Sequence, residues 1–273
     1  MTDLAHRLAL HTWTIDTTLL PQALAAARAG GFDAMELRRI DFTRCHETGL
    51  TNEQVLDAVK ASGMKIAVLG TEYGLLFAEG EERARLFDVF TQTCQNAVAM
   101  GCPMIMTAPG QNVGTLAQAS LSLREAAQIA HHHGLRLALE FNSQHDVINK
   151  LEIAREIIAK AAHPAAGLLL DAYHLQRSGA PGRAFEHVAP EEIFTFQFSD
   201  VPAGPPAGQR RPTDRLPPGQ GIVQWQAVFG LLKEKGYDGY MSYEAPNPVL
   251  WARPPEEVTR EGAVATRALI ARS

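Results

Sequence analysis

The chain has 273 residues, of which 46% are hydrophobic and 20% are charged, and its formal net charge at pH 7 is −5. This composition is typical of a globular protein, and it gives no basic face for nucleic acid or anionic lipid. No apolar run approaches the roughly 18 residues that span a bilayer, and the first residues, MTDLAHRLALHTW, lack the pattern of a signal peptide. Three widely spaced cysteines without a CxxC pair indicate a reducing compartment, so we expect a cytoplasmic protein without disulfides.

Short β-rich runs alternate with longer amphipathic runs along almost the whole chain. The predicted strands are, in chain order, Leu8–Trp13, Ala34–Arg39, Lys65–Gly70, Met104–Pro109, Arg136–Phe141, Gly167–Asp171, Ile193–Asp200 and Gly239–Glu244. The predicted helices cover residues 21–31, 51–63, 83–101, 115–134, 149–162, 224–236 and 254–272. Several of these helices close on a glycine, which suits the left-handed position after a helix C-terminus.

Eight strand–helix units of about thirty residues each predict a single (β/α)8 TIM barrel, with residues 1–273 forming one domain. An open Rossmann sheet is the alternative, but no G-x-G-x-x-G follows the first strand. The sixth unit is the weakest, because APGRAFEHV after Gly179 favours only a short helix. The stretch 201–221, rich in proline and glycine, predicts an irregular loop on the functional face.

Polar and ionisable side chains gather at the carboxyl ends of these apolar strands, where TIM barrels place their active sites. Glu140, Asp171 and Glu244 end the fifth, sixth and eighth strands. Any one of them could be a helix N-cap or half of an ion pair. Three carboxylates in one barrel mouth would repel each other strongly unless a cation lay between them. Their convergence therefore favours a metal site.

Five segments resemble the xylose-isomerase-like barrel superfamily. They are LALEF with Glu140, GLLLDAYHL with Asp171 and His174, FQFSD with Gln197, DRLPPGQG with Arg215, and YMSYEAPNP with Glu244. The resemblance is densest from Arg136 to Asn247, and within the superfamily it is closest to the 2-keto-myo-inositol (inosose) isomerases. The superfamily also contains dehydratases and apurinic-site endonucleases, but the net charge of −5 and Gln197 disfavour an endonuclease.

The resemblance implies that one divalent metal ion is held by Glu140, Asp171, Gln197 and Glu244. Most members of the superfamily have a histidine where Gln197 stands. Because the four side chains then offer only oxygen, the set favours Mn²⁺ or Mg²⁺ over Co²⁺ or Zn²⁺. If Gln197 is not a ligand, a weaker site of three carboxylates remains.

The resemblance also implies how such a site would act on its substrate. The ion would polarise a carbonyl and a neighbouring hydroxyl, Glu140 and Glu244 would exchange the proton on the α-carbon, and His174 would lie beside the substrate. The candidate substrate-binding residues are Arg215, Glu36, Tyr73, Asn142 and Trp251.

We therefore expect an isomerase or epimerase of an unphosphorylated keto-sugar or keto-cyclitol, with no nucleic-acid or membrane partner. A lyase similar to the dehydroshikimate dehydratases is the main alternative, because those enzymes share the metal site and resemble this chain at Gln197. A non-catalytic barrel that binds a sugar is a second alternative, and it predicts the same fold without bound metal. The sequence leaves open the exact substrate, the metal and whether the chain forms a homo-oligomer.

Overall fold

Eight parallel strands close into one barrel, in chain order, in the computed structural model, which describes residues 3–205, 208 and 212–273. β1 pairs with β2 on one side and with β8 on the other, which completes the ring. The strands are β1 (Leu8–His11), β2 (Ala34–Arg38), β3 (Lys65–Gly70), β4 (Met104–Thr107), β5 (Arg136–Glu140), β6 (Ala166–Asp171), β7 (Ile193–Phe198) and β8 (Met241–Tyr243). The predicted TIM barrel is confirmed.

Helices surround the barrel. They are α1 (Leu20–Gly30), α2 (Arg39–Glu47), α3 (Asn52–Ser62), α4 (Gly80–Met100), α5 (Leu116–His132), α6 (Leu151–Ala161), α7 (Ala172–Arg177), α8 (Trp225–Glu234), α9 (Pro248–Trp251) and α10 (Pro255–Ile270). The sequence did not predict α2 and α9, which follow β2 and β8 at the barrel mouth. Among the described residues, no helix has both the length and the apolar character needed to cross a bilayer.

The sixth unit differs from its prediction. Helix α7 begins at Ala172, directly after β6, whereas residues 182–187, where a short helix was expected, form turns. Asp171 caps α7, because its Oδ1 accepts a hydrogen bond from the backbone N–H of Tyr173 at 2.9 Å. A six-residue helix is too short to show a periodic apolar pattern. Its effect is to carry His174 to the mouth of the barrel.

Alternation along the strands decides which side chains reach the barrel axis. On β1, Leu8 and Leu10 belong to the large apolar cluster between strands and helices, while Ala9 belongs to the smaller cluster inside the barrel. The same alternation places Glu36 two residues beyond Ala34, and Glu140 two residues beyond Ala138. The acidic side chains therefore continue the inward-facing rows at their carboxyl ends.

Candidate active site

Three buried side chains meet at the carboxyl ends of β5 and β6. Glu140, Asp171 and His174 each offer one ligand atom, and these three atoms lie within 4.8 Å of one another. Asp171 uses Oδ1 to cap α7, and its Oδ2 accepts a hydrogen bond from Arg215. On the neighbouring strand, Gln197 is in register with Asp171, which places the two side chains on the same face of the sheet.

Arg215 enters this cluster from the loop after β7 and is almost fully buried, with 2% of its surface exposed. Its Nη1 lies 2.7 Å from Asp171 Oδ2 and 2.9 Å from Glu244 Oε2. The guanidinium also lies over the ring of Tyr173, with its central carbon 4.4 Å from the ring centroid. Arg215 therefore links the carboxylates of β6 and β8 through one fixed cation.

The loop that carries Arg215 is tied to the barrel by Asp200, a buried carboxylate at the end of β7. Asp200 accepts hydrogen bonds from the backbone N–H groups of Val201, Gly219 and Val223 and from the indole of Trp225, at 2.8–3.0 Å. The expectation of an irregular loop is borne out for its described residues, apart from one bridge between Asp200 and Leu216.

Two further features of this loop depend on particular residues. A side chain at Gly221 would collide with the Val201 carbonyl and the Asp200 carboxylate, so only glycine lets the loop pass so close. Asp214 accepts hydrogen bonds from the Tyr173 hydroxyl at 2.8 Å and from Arg177 at 3.2 Å. In the DR pair, the aspartate thus anchors the loop to α7 and the arginine enters the site.

His174 is buried between Ser143 and Arg215. Its Nδ1 lies 2.9 Å from the Ser143 hydroxyl, and its Nε2 lies 3.2 Å from Arg215 Nη2. Burial lowers the pKa of His174 to about 3, with the Arg215 charge acting in the same direction and Asp171 opposing it. The ring is therefore neutral, and because a guanidinium nitrogen can only donate, Nε2 accepts from Arg215.

A second polar group crosses the barrel between β2 and β7. Gln197 Nε2 donates a hydrogen bond to Glu36 Oε1 at 2.8 Å, and both side chains are completely buried. His11 lies beside them, with its Nε2 3.9 Å from Glu36 Oε1 and 3.3 Å from Glu244 Oε1. The strand-end residues thus form one connected polar layer.

The site contains more carboxylates than cationic side chains. Burial, helped by the nearby charges of Glu244 and Asp171, raises the pKa of Glu36 to about 8 against two opposing hydrogen bonds. Burial also raises the pKa of Glu140, again with help from Glu244 and Asp171. Burial alone would lower the pKa of Arg215, but the carboxylates around it hold that pKa above the usual value. One guanidinium therefore does not neutralise the cluster.

The donor set fits a divalent cation. Among the described residues, Glu140 Oε1 and Gln197 Oε1 are buried atoms without a hydrogen-bond partner, and such atoms are costly unless something binds them. A divalent ion beside Glu140, Asp171 and Glu244 would supply the missing charge. The oxygen donors suit Mg²⁺ or Mn²⁺, whereas a contribution from His174 would suit Zn²⁺ or Co²⁺ better.

Two cavities open at this end of the barrel and share Trp13 and Tyr73. The inner cavity, of about 310 Å³, is lined by Glu140, Asn142, His174, Arg215 and Glu244, among others. The outer cavity, of about 710 Å³, is lined by Arg38, Arg39 and Arg44 together with the carboxylates of Asp16 and Glu72, among others. Because the cavities share two aromatic side chains, a ligand held at the carboxylates could extend towards the arginines.

The arginines of the outer cavity differ in their partners. Arg38 contacts Asp16 at 2.7 Å and Asp41 at 2.8 Å, and Arg44 contacts Asp16 at 3.0 Å. Arg39 donates to the Thr43 hydroxyl at 2.8 Å and has no carboxylate partner among the described residues. Arg39 is therefore the cation of this cavity that is available to an anionic ligand.

The structure brings together most of the side chains that the sequence singled out. Tyr73, Asn142 and Arg215 line the inner cavity. Trp251 instead donates its indole N–H to the backbone carbonyl of Trp13 at 2.8 Å and lines neither cavity. Trp251 thus holds in place Trp13, which lines both cavities.

Sequence reasoning missed several residues of the inner cavity. Gln111 and Asn112 lie in the loop after β4 and line it, as does Trp13 after β1. The rule that active sites lie after barrel strands would have found the first two, had it been applied to the fourth strand.

Known proteins of the same fold are similar to this chain in sequence. Residues 24–269 match the model of the xylose isomerase-like TIM barrel family. The chain belongs to that family. It is 24% identical to an inosose isomerase of Halalkalibacterium halodurans over 257 residues, which cover 90% of both chains. It is also 24% identical to a 3-dehydroshikimate dehydratase of Pseudomonas putida over 255 residues, but these cover only 38% of that longer protein.

Solved structures share the fold. The crystal structure of the IolI protein with a bound zinc atom superposes with a TM-score of 0.86 at 21% identity, covering 97% of this chain and 98% of that one. At this identity the likeness establishes the barrel and its connectivity. Among the proteins similar to this chain are inosose isomerases and 3-dehydroshikimate dehydratases and, among the solved structures, a 3-keto-D-glucoside 4-epimerase.

Proposed function

We propose that the protein is a divalent-metal-dependent isomerase or epimerase of an unphosphorylated keto-sugar or keto-cyclitol. The observation that carries this proposal is the excess of buried carboxylates around a single arginine, with Glu140 Oε1 left without a hydrogen-bond partner. Similarity to an inosose isomerase over 90% of both chains supports the class of substrate.

In this proposal Glu140, Asp171, Gln197 and Glu244 hold the metal ion. When bound, the ion supplies a Lewis acid that polarises the substrate carbonyl and its neighbouring hydroxyl. Gln197 provides its amide oxygen and the other three residues provide carboxylate oxygens. Mn²⁺ and Mg²⁺ are the preferred ions for such a set.

Glu140 and Glu244 are the proposed proton carriers. They come from β5 and from the residue after β8, on different sides of the mouth, so one can take the proton from the α-carbon and the other can return it. Neutral His174 lines the inner cavity, and its contacts with Ser143 and Arg215 fix the ring beside the substrate.

A dehydratase is the second candidate, and the outer cavity favours it. After removal of the α-proton, loss of the β-hydroxyl as water would leave a carbon–carbon double bond in place of the C–H and C–OH bonds. A carboxylate-bearing substrate would match Arg39, which lacks a carboxylate partner among the described residues. Similarity to a 3-dehydroshikimate dehydratase over 89% of this chain supports the same candidate.

Incubation of the Mn²⁺-loaded protein with an inosose and with dehydroshikimate in D₂O separates the candidates. Deuterium in an isomerised or epimerised cyclitol supports the proposal. Release of water to give a catechol acid, followed by its ultraviolet absorbance, supports the dehydratase. A chain that binds these compounds without deuterium exchange or turnover is a binding protein, which would overturn both enzymatic assignments.

A further inference from the structure

Glu36 has no part in the mechanism above, yet it is completely buried at the same end of the barrel. It lies on β2, whereas the residue it contacts, Gln197, lies on β7, and these strands are not neighbours in the ring. Their hydrogen bond of 2.8 Å therefore spans the barrel interior. Burying a carboxylate at this depth costs free energy unless a hydrogen-bond partner or a cation compensates for its lost hydration.

The hydrogen bond decides which way the Gln197 amide faces. A carboxylate oxygen accepts, so at 2.8 Å the amide presents its NH₂ group to Glu36 Oε1. The amide oxygen must then lie on the other side of the group. Gln197 Oε1 is buried and has no hydrogen-bond partner among the described residues, so this contact leaves a free acceptor atom beside Asp171.

We infer that Glu36 is a positioning residue that orients the amide of Gln197 so that Oε1 faces a divalent cation held with Glu140 and Asp171. This inference rests on the metal site of the proposed function. A glutamine side chain can present either its oxygen or its nitrogen, and only the oxygen binds a metal ion. Glu36 removes that ambiguity, as a buried acceptor does for a metal-bound imidazole.

Mn²⁺ affinity, measured by titration calorimetry, tests the inference without reference to turnover. Glu36→Gln should weaken Mn²⁺ binding by about 10- to 100-fold, because an amide at position 36 no longer selects one orientation of Gln197. Gln197→Leu should weaken binding to a similar degree. The double variant should bind no worse than Gln197→Leu alone, because Glu36 acts only through the amide. Unchanged affinity in Glu36→Gln, or losses that add in the double variant, would overturn the inference.

Glu72→Gln is the matched control. Glu72 lines the outer cavity and contacts exposed Arg85, so the substitution removes a carboxylate at the same end of the barrel without touching Gln197. Its Mn²⁺ affinity should equal that of the wild type. If the wild type binds no Mn²⁺, both the proposed function and this inference are wrong. If the wild type and Glu36→Gln bind equally well, only the inference fails.

A second variant keeps the inference testable if Glu36→Gln does not fold. Gln197→His leaves Glu36 intact and offers one ring N–H to the carboxylate and one lone pair to the cation. It should therefore bind Mn²⁺ much more tightly than Gln197→Leu. Equal affinities of Gln197→His and Gln197→Leu would show that a donor facing Glu36 does not orient the ligand.

Discussion

Arg215 Nη1 lies 2.7 Å from Asp171 Oδ2, the carboxylate oxygen that Asp171 does not use to cap α7. The same nitrogen lies 2.9 Å from Glu244 Oε2. A permanent organic cation is thus built into the group of carboxylates at which a metal ion is proposed to bind. Arg215 and the metal ion would then both neutralise the carboxylates of the cluster. Removal of Arg215 should therefore make the stability of the fold depend more strongly on the metal ion.

Arg215→Met tests this sharing. Removing one partner of a buried ion pair costs about 3–5 kcal/mol, so the EDTA-treated variant should unfold at much lower urea concentration than the wild type. Added Mn²⁺ should restore more stability to the variant than it adds to the wild type, because the ion replaces the missing charge. Arg177→Met is the control, since Arg177 pairs with partly exposed Asp214 on the same loop. A loss in Arg215→Met no larger than in the control would contradict the prediction.

Glu244→Gln tests the proposed proton transfer. The substitution keeps the shape of the side chain but removes a base, so kcat should fall by about 10²- to 10⁴-fold while the circular dichroism spectrum remains unchanged. Glu140→Gln should behave alike and should also weaken Mn²⁺ binding. Asp238→Asn, at an exposed position outside both cavities, should keep full activity. Undiminished deuterium exchange by Glu244→Gln would remove Glu244 from the mechanism.

Arg39→Gln tests whether the outer cavity receives an anionic group. Loss of a charge-assisted hydrogen bond costs about 1.5–3 kcal/mol, so the KM for a carboxylate-bearing substrate should rise about tenfold or more. The KM for a neutral keto-cyclitol should not change. Arg28→Gln, whose arginine bonds the Ser62 carbonyl on the outer helices, is the control. An equal effect on both substrates would show that Arg39 does not select for charge.

The barrel and the carboxylate set could be predicted from the sequence because both depend on local patterns. Strand–helix alternation indicates parallel pairing, and a carboxylate at the end of an apolar run is visible without coordinates. The sequence also predicted Arg215 in the site, from the resemblance of DRLPPGQG. It could not show that Arg215 contacts Asp171 and Glu244, because that contact depends on how a loop of about twenty residues folds back.

The contacts that the sequence could not predict join distant parts of the chain. The hydrogen bond between Glu36 and Gln197 links residues 161 positions apart, and no spacing rule relates them. The outer cavity was missed because Arg38 ends β2, whereas Arg39 and Arg44 lie on α2, a helix that was not predicted. The sequence showed only that a carboxylate, Asp200, follows β7. The hydrogen bonds by which Asp200 holds the loop are visible only in the structure.

Asp200→Asn tests that role. Asparagine keeps one acceptor oxygen but turns an NH₂ group towards donors such as Gly219 N–H and the Trp225 indole, leaving buried groups unpaired at about 1–3 kcal/mol each. The variant should be less stable, and Trp225 fluorescence should change. Asp238→Asn, at an exposed position, should match the wild type. A stable Asp200→Asn variant with unchanged fluorescence would show that the loop is held by other contacts.

The pKa of Glu36 predicts how the metal-free protein responds to pH. Burial raises this pKa from 4.5 to about 8, so the folded state binds the proton more tightly than the unfolded state does. The contribution of Glu36 to stability is therefore complete below pH 4.5 and is lost as the pH rises to about 8, at up to about 1.4 kcal/mol per pH unit.

Urea unfolding of EDTA-treated protein between pH 5 and 8.5 should show this decline. Glu36→Gln should show a flatter pH dependence, because an amide does not titrate, whereas Glu72→Gln should keep the wild-type slope. Added Mn²⁺ should flatten the wild-type curve as well, because a cation in the cluster favours the ionised carboxylates. Equal slopes for the wild type and Glu36→Gln would show that Glu36 does not titrate in this range.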